Sequence, residues 1–240
     1  DPADLRIRRR KTIEANYPLI TRFIEVVAER IPRVGRARRT LGKIEGNQRA
    51  NLGDICTFDF RNRPKLKFSG FDAVITSPPY ETALPYIDTQ RLSLVLLGDI
   101  DASEILSTEK SLIGAREIGP QEKRELENII RSSGSTSGLP HSVLELCREL
   151  LDAASGPGNG FRRQNRPALT LRYFQRMAEF FRTIKPFMRS GAKLAMVVGT
   201  NRTLLGGREF EIATPQLLAD IAYHCGYSRV EERPMDTYPR

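Results

Sequence analysis

Cysteine and histidine are scarce in this chain. Its 240 residues include three cysteines, Cys56, Cys147 and Cys225. The number is odd and no two are close, which argues against a disulfide framework or a zinc knuckle. Two histidines, His141 and His224, are too few for most metal sites, and none is expected. No apolar run approaches the roughly 18 residues that a membrane helix needs. The opening Asp1-Pro2-Ala3-Asp4 lacks the basic start and apolar stretch of a signal peptide. These absences set the expectation of a soluble, cytoplasmic protein. No internal repeat is visible.

What is present is enough apolar material for a core. Hydrophobic residues make up 40% of the chain, sufficient for one large domain or for one domain plus an insert. The net charge is +9, and its distribution is uneven. Residues 1–70 hold 17 Lys+Arg against 8 Asp+Glu, whereas the remaining 170 hold 21 of each. Arg6, Arg8, Arg9, Arg10 and Lys11 form one basic cluster; Arg30, Arg33, Arg36, Arg38, Arg39 and Lys43 form another. Such clusters attract a polyanion and speed encounter with it. A solvated face that only aids solubility reads equally well from charge alone.

The pattern of residues predicts an α/β chain. Lys11 to Ala15 reads as a short strand ending near Glu14. A helix is expected from Pro18 to Arg30, with Ile20, Phe23, Ile24 and Val27 at helical spacing, stopped by Pro32 and Gly35. Residues 33–50 read as a loop or a short exposed helix, and Ile55 to Phe60 is an apolar stretch. Phe71 to Thr76 is a short, nearly continuous apolar run. That is the profile of a parallel strand buried on both faces. Pro78-Pro79 ends it, because proline cannot donate to a ladder. A leucine-rich helix is expected over 83–97. Residues 98–168 read as an insert holding two loop stretches and one amphipathic helix, Ser142 to Ala153. A long helix from Leu169 to Phe187, a turn at Arg189-Ser190-Gly191, a strand from Ala192 to Val198 and a helix from Pro215 to Cys225 complete the series. Alternating strands and helices imply a mostly parallel sheet with helices on both faces.

In open sheets of this kind, ligands bind beyond the carboxyl ends of the strands. Ser77-Pro78-Pro79-Tyr80 falls at such an end. The segment Asp72-Ala73-Val74-Ile75-Thr76-Ser77-Pro78-Pro79-Tyr80 closely resembles motif IV of S-adenosylmethionine-dependent amino-methyltransferases, which methylate exocyclic amines of bases. The resemblance implies a Rossmann-like class I methyltransferase fold, an S-adenosylmethionine cofactor and a DNA partner. It implies a core segment with the motif (1–97) and a second core segment (169–240); the insert between them (98–168) matches no part of the family and is a target-recognition candidate by position only.

The residue types suit that chemistry. An exocyclic amine shares its lone pair with the ring, so a site must accept hydrogen bonds from the amine and draw the nitrogen toward tetrahedral geometry. Ser77 can supply one acceptor and the Pro78 carbonyl a second. The prolines fix that carbonyl's direction, since their φ is locked. Tyr80 can stack on a base, which must leave the duplex to be reached. A sulfonium methyl donor is already activated, so positioning supplies most of the catalysis.

Further segments resemble the same family. Ile13-Glu14-Ala15-Asn16 is similar to its second strand, which makes Glu14 a candidate for the ribose hydroxyls. Asn51-Leu52-Gly53-Asp54 is similar to its adenine-binding segment, which makes Asp54 a candidate. Thr76 ends the motif strand and is a third cofactor candidate. Tyr173 to Phe187 and Gly191 to Leu194 resemble the helix and the fifth strand, and Gly199-Thr200-Asn201 would border the cofactor or base pocket.

One family feature has no counterpart. The Phe-x-Gly-x-Gly loop that cradles the methionine end of the cofactor is missing. The Gly-x-Gly of Gly158-Asn159-Gly160, in the loop that starts at Ser155, follows no strand. Three expectations stay open: the loop precedes residue 1 in a longer protein, another chain supplies it, or the protein binds no cofactor. Serine at the first motif position resembles cytosine-N4 enzymes more than adenine-N6 enzymes. The lack of a Pro-Cys pair disfavours the covalent carbon-5 route, which needs a thiolate. An RNA amino-methyltransferase and a non-catalytic nucleic-acid-binding subunit of the same fold are the alternatives.

Overall fold

The computed structural model describes residues 19–41, 70–81, 86–98, 100–132, 138–156, 159–228 and 230–235. Chain contacts divide the protein into two compact units, Asp1–Gly53 and Asp54–Arg240. The strand expected at 11–15, the stretch 55–60 and the basic cluster 6–11 lie outside the described residues.

In the first unit the described residues form one helix, α1 (Leu19–Leu41). It does not stop at Pro32 or Gly35 as expected, but runs through both. Proline inside a helix removes one main-chain donor, here the bond to Ala28, and the exposure of this stretch lets water satisfy the freed carbonyl. Ile20, Phe23, Ile24, Ile31 and Val34 are all exposed.

In the second unit β1 (Phe71–Thr76) leads to α2 (Tyr86–Leu96). A 3-10 turn at Ala102–Glu104 then opens a run of helices, α3 (Ile105–Ser111), α4 (Pro120–Arg131), α5 (His141–Ala154), α6 (Phe161–Gln164) and α7 (Arg166–Ile184). β2 (Met188–Met196), β3 (Asn201–Leu205), β4 (Arg208–Ile212) and α8 (Thr214–His224) follow. β1 and β2 pair in parallel, Val74 opposite Leu194 and Thr76 opposite Met196. β3 and β4 form a separate antiparallel hairpin. The described residues are therefore mixed α/β, with two small sheets.

Helix α7 is the centre of the core. Its Ala168, Leu171, Phe174, Met177, Ala178, Phe181 and Ile184 are all buried, at the period of an amphipathic helix. Leu126 and Ile130 of α4, Val143, Cys147 and Leu150 of α5, and Leu218 and Ile221 of α8 close around it. Leu205, Phe210 and Ile212 of the hairpin join the same cluster. The segment expected as an insert is thus built into the core through α4 and α5. Prolines at the first turns of α4, α7 and α8 fit positions where no intrahelical donor is lost.

Two expectations about the strands are corrected. β1 is not buried on both faces. Phe71 and Val74 pack on the core cluster, while Ile75 is 82% exposed on the other side. The core lies against one face: Val74 and Thr76 turn toward it, Ala73 and Ile75 away, and the register slip after Phe71 breaks the alternation there. Arg189-Ser190-Gly191 is not a turn but part of β2. The pairing slips there, from Phe71–Met188 to Ala73–Lys193. Gly191, at φ +78°, absorbs the irregularity.

Candidate functional site

Two segments leave the sheet side by side, Ser77–Glu81 after β1 and Val197–Thr200 after β2. The parallel pairing sets them together, because both strands end at the same level, Thr76 opposite Met196. The Val197 amide donates to the Thr76 carbonyl at 3.0 Å. Next to it the Ser77 hydroxyl donates to the Val197 carbonyl at 3.2 Å. Ser77 is exposed. With its one proton engaged, its oxygen presents lone pairs to solvent.

The two prolines turn the chain down into the protein. Pro78 is buried and Pro79 half-buried, while Tyr80 is 38% exposed. Gly114, between α3 and α4, packs against this corner at φ +81°. A side-chain carbon there would lie 3.0 Å from the Tyr80 carbonyl oxygen and 3.3 Å from Pro79 Cβ.

Glu81 anchors the far end. It is 1% exposed. Its carboxylate pairs with the Arg166 guanidinium and accepts from Thr170 Oγ1 at 2.7 Å, both on α7. Asn201, the first residue of β3, donates its amide to the Glu81 carbonyl at 2.5 Å and to the carboxylate at 3.1 Å. Burial lowers the Arg166 pKa, the Glu81 charge offsets part of that effect, and Arg116 adds to it. Cys147 lies fully buried in α5; burial and then the Glu81 carboxylate push its thiol upward. A buried charge of this kind is tolerable only when paired and hydrogen-bonded, as here.

Of the residues expected to act, the structure brings together Thr76, Ser77, Pro78, Pro79 and Tyr80, and sets them beside Val197 and Asn201. Asn201 faces Glu81, not an open pocket. Glu14 and Asp54 lie outside the described residues. Gly158 does too, and Asn159 is structural. Its amide donates to the carbonyls of Ala153, Ala154 and Gly156 at 3.0–3.2 Å. Sequence reasoning passed over Glu81, Arg166, Thr170 and Gly114. The only signal for Glu81 is a charged residue directly after the motif, and burial is what reveals its role.

The arrangement offers an outward acceptor on a rigid corner and no free base, since the Glu81 carboxylate is consumed by its partners. Two concavities, one bounded by Lys110, Gly114, Arg172 and Tyr173 and the other along α1, do not include Ser77 or Tyr80. Among the described residues no cluster of His, Cys, Asp and Glu could hold a metal, and no helix is long and apolar enough to cross a membrane. No family model matches the chain, and no curated protein or solved structure does.

Proposed function

We propose that the chain carries the acceptor-binding corner of an S-adenosylmethionine-dependent DNA amino-methyltransferase, on a Rossmann-like sheet of which β1 and β2 are the described part. The base is cytosine, methylated at N4, in preference to adenine at N6. The observation that carries the reading is the Ser77 hydroxyl. It stands exposed at the carboxyl end of a parallel strand, with its proton held by the Val197 carbonyl. An oxygen in that state accepts a hydrogen bond from an amine and donates none to it. The Pro78 carbonyl supplies the second acceptor, and Tyr80 a stacking face for the extruded base.

When bound, S-adenosylmethionine supplies an activated methyl group. The described residues do not form a cradle for it by themselves: one strand end is a double-proline corner, the other is Val198-Gly199-Thr200, and the candidate contacts Glu14 and Asp54 are outside the described residues. The Asn159 of Gly158-Asn159-Gly160 is structural and offers no cofactor loop, and the second reading is a non-catalytic nucleic-acid-binding subunit of the same fold.

The test is methyl transfer from labelled S-adenosylmethionine to unmethylated DNA, followed by nucleoside analysis. N4-methylcytosine from the native protein, abolished by Ser77→Ala, supports the proposal. Cofactor binding without transfer to DNA, but with transfer to tRNA, would redirect it to RNA. No cofactor binding at all would leave the non-catalytic reading.

A further inference from the structure

Residues 153–178 hold Arg162, Arg163, Arg166, Arg172 and Arg176 and not one Asp or Glu. Two of these arginines are turned inward. Arg166 pairs with Glu81, and Arg172 pairs with Glu122 and reaches the Ala115 carbonyl at 2.8 Å. Arg162 and Arg163 are exposed and make no ion pair among the described residues. Directly before them stands Phe161, 73% exposed.

A single exposed aromatic is ordinary on a protein surface. This one differs in how firmly its backbone is held. Asn159, just before it, is buried and tied to three carbonyls of the α5 end. The Gly206 amide donates to Asn159 Oδ1 at 3.1 Å, and the Gln164 side chain donates to the Asn159 carbonyl at 3.0 Å. The Asn165 amide closes the turn onto the Phe161 carbonyl at 3.3 Å. A bare phenyl ring beside two bare guanidiniums is therefore displayed on a fixed platform.

We propose that Phe161, Arg162 and Arg163 form a contact surface for the DNA that carries the extruded base. The inference rests on the methyltransferase reading for the identity of that base. The guanidiniums bind backbone phosphates, which position a duplex without reading its sequence. The exposed phenyl ring stacks on an unpaired base. The exposed Arg162 and Arg163 supply the positive charge that a polyanion attracts.

The experiment is fluorescence anisotropy with a labelled mixed-sequence duplex carrying one mismatch, using the whole protein. Paired Arg162→Ala and Arg163→Ala substitutions are expected to lower the salt dependence, log K against log salt, by about 1.8. Phe161→Ala is expected to weaken binding roughly 10-fold, and Phe161→Trp to restore it. Melting temperatures unchanged by these exposed substitutions show that binding, not folding, is affected. Unchanged affinity and salt slope overturn the surface, as does an affinity loss matched by an equal fall in melting temperature in every variant. Dependence on these residues confined to an RNA hairpin also overturns it. If the variants lose DNA binding while the native protein transfers no methyl group, the surface stands and the methyltransferase reading falls. Methyl transfer with DNA binding indifferent to all three residues has the reverse meaning.

Discussion

The side-chain amide of Asn201 donates to both the main-chain carbonyl and the carboxylate of Glu81, at 2.5 Å and 3.1 Å. One residue thereby joins the start of β3 to the end of the double-proline corner. At the other end of the same two segments, Ser77 holds Val197. The corner is pinned at both limits, with Ser77 and part of Tyr80 exposed to solvent. Removing the clamp has two separable effects. Asn201→Ala leaves a buried carboxylate short of donors and is expected to cost about 1–3 kcal/mol of stability. Glu81→Leu strands the Arg166 guanidinium, which is expected to cost about 3–5 kcal/mol. Urea unfolding measures both, and a Glu81→Leu variant as stable as the parent would show that the ion pair is not holding the corner.

Ser77→Ala and Tyr80→Ala change exposed side chains, so stability is expected to move by less than about 0.5 kcal/mol. Methyl transfer is expected to fall at least ~100-fold in each, through lost positioning of the amine and the base. Cofactor affinity, read by calorimetry, is expected to stay within about twofold. Wild-type turnover in both variants would remove the corner from the chemistry.

Gly114 is required for its backbone and for the space it leaves. Its φ is +81°, and an added carbon would press on the Tyr80 carbonyl at 3.0 Å. Gly114→Ala is therefore expected to lose about 1–3 kcal/mol. Gly119→Ala, where an added carbon meets nothing, is the control and is expected to be near neutral. Thermal melting compares the two.

Alkaline conditions should weaken the fold. Burial raises the thiols of Cys147 and Cys225, and raises the Tyr227 phenol to about 12. The unfolded chain releases these protons at ordinary values while the folded chain keeps them. Their contribution is thus complete below the ordinary thiol range, about 8.5, and is lost as pH rises toward the folded values. The slope reaches about 1.4 kcal/mol per pH unit for a fully buried group. Urea midpoints on either side of that range would reveal it, and Cys147→Ala should flatten the slope. A stability that is flat through alkaline pH in the native protein would contradict the burial of Cys147.

The strand that carries the motif could be read from its residues alone. Phe71 to Thr76 is apolar, short and stopped by prolines, and β1 has those limits. α5 and α8 fall within a residue or so of their expected ends, because periodic apolar faces and terminal small residues mark them. α7 begins earlier than expected, since Pro167 suits a first turn, and ends at Ile184 because Pro186 follows. The hairpin was hidden. Its Asn201–Leu205 and Arg208–Ile212 are short and half charged, and only Gly206-Gly207, both at positive φ, betray a tight turn. α4 was hidden as well, for Leu126 and Ile130 are its only buried apolar residues. At the site, Ser77 and Tyr80 were legible as chemistry. Glu81 was not, because a charge reads as surface until its partners, brought from far along the chain, surround it.

Along one edge β1 has β2 as its partner; among the described residues the opposite edge has none. That edge carries a row of main-chain donors and acceptors beside the outward Ile75. In the proposed Rossmann-like sheet that edge is where a further strand pairs. Light scattering at rising concentration would show whether it is covered in solution.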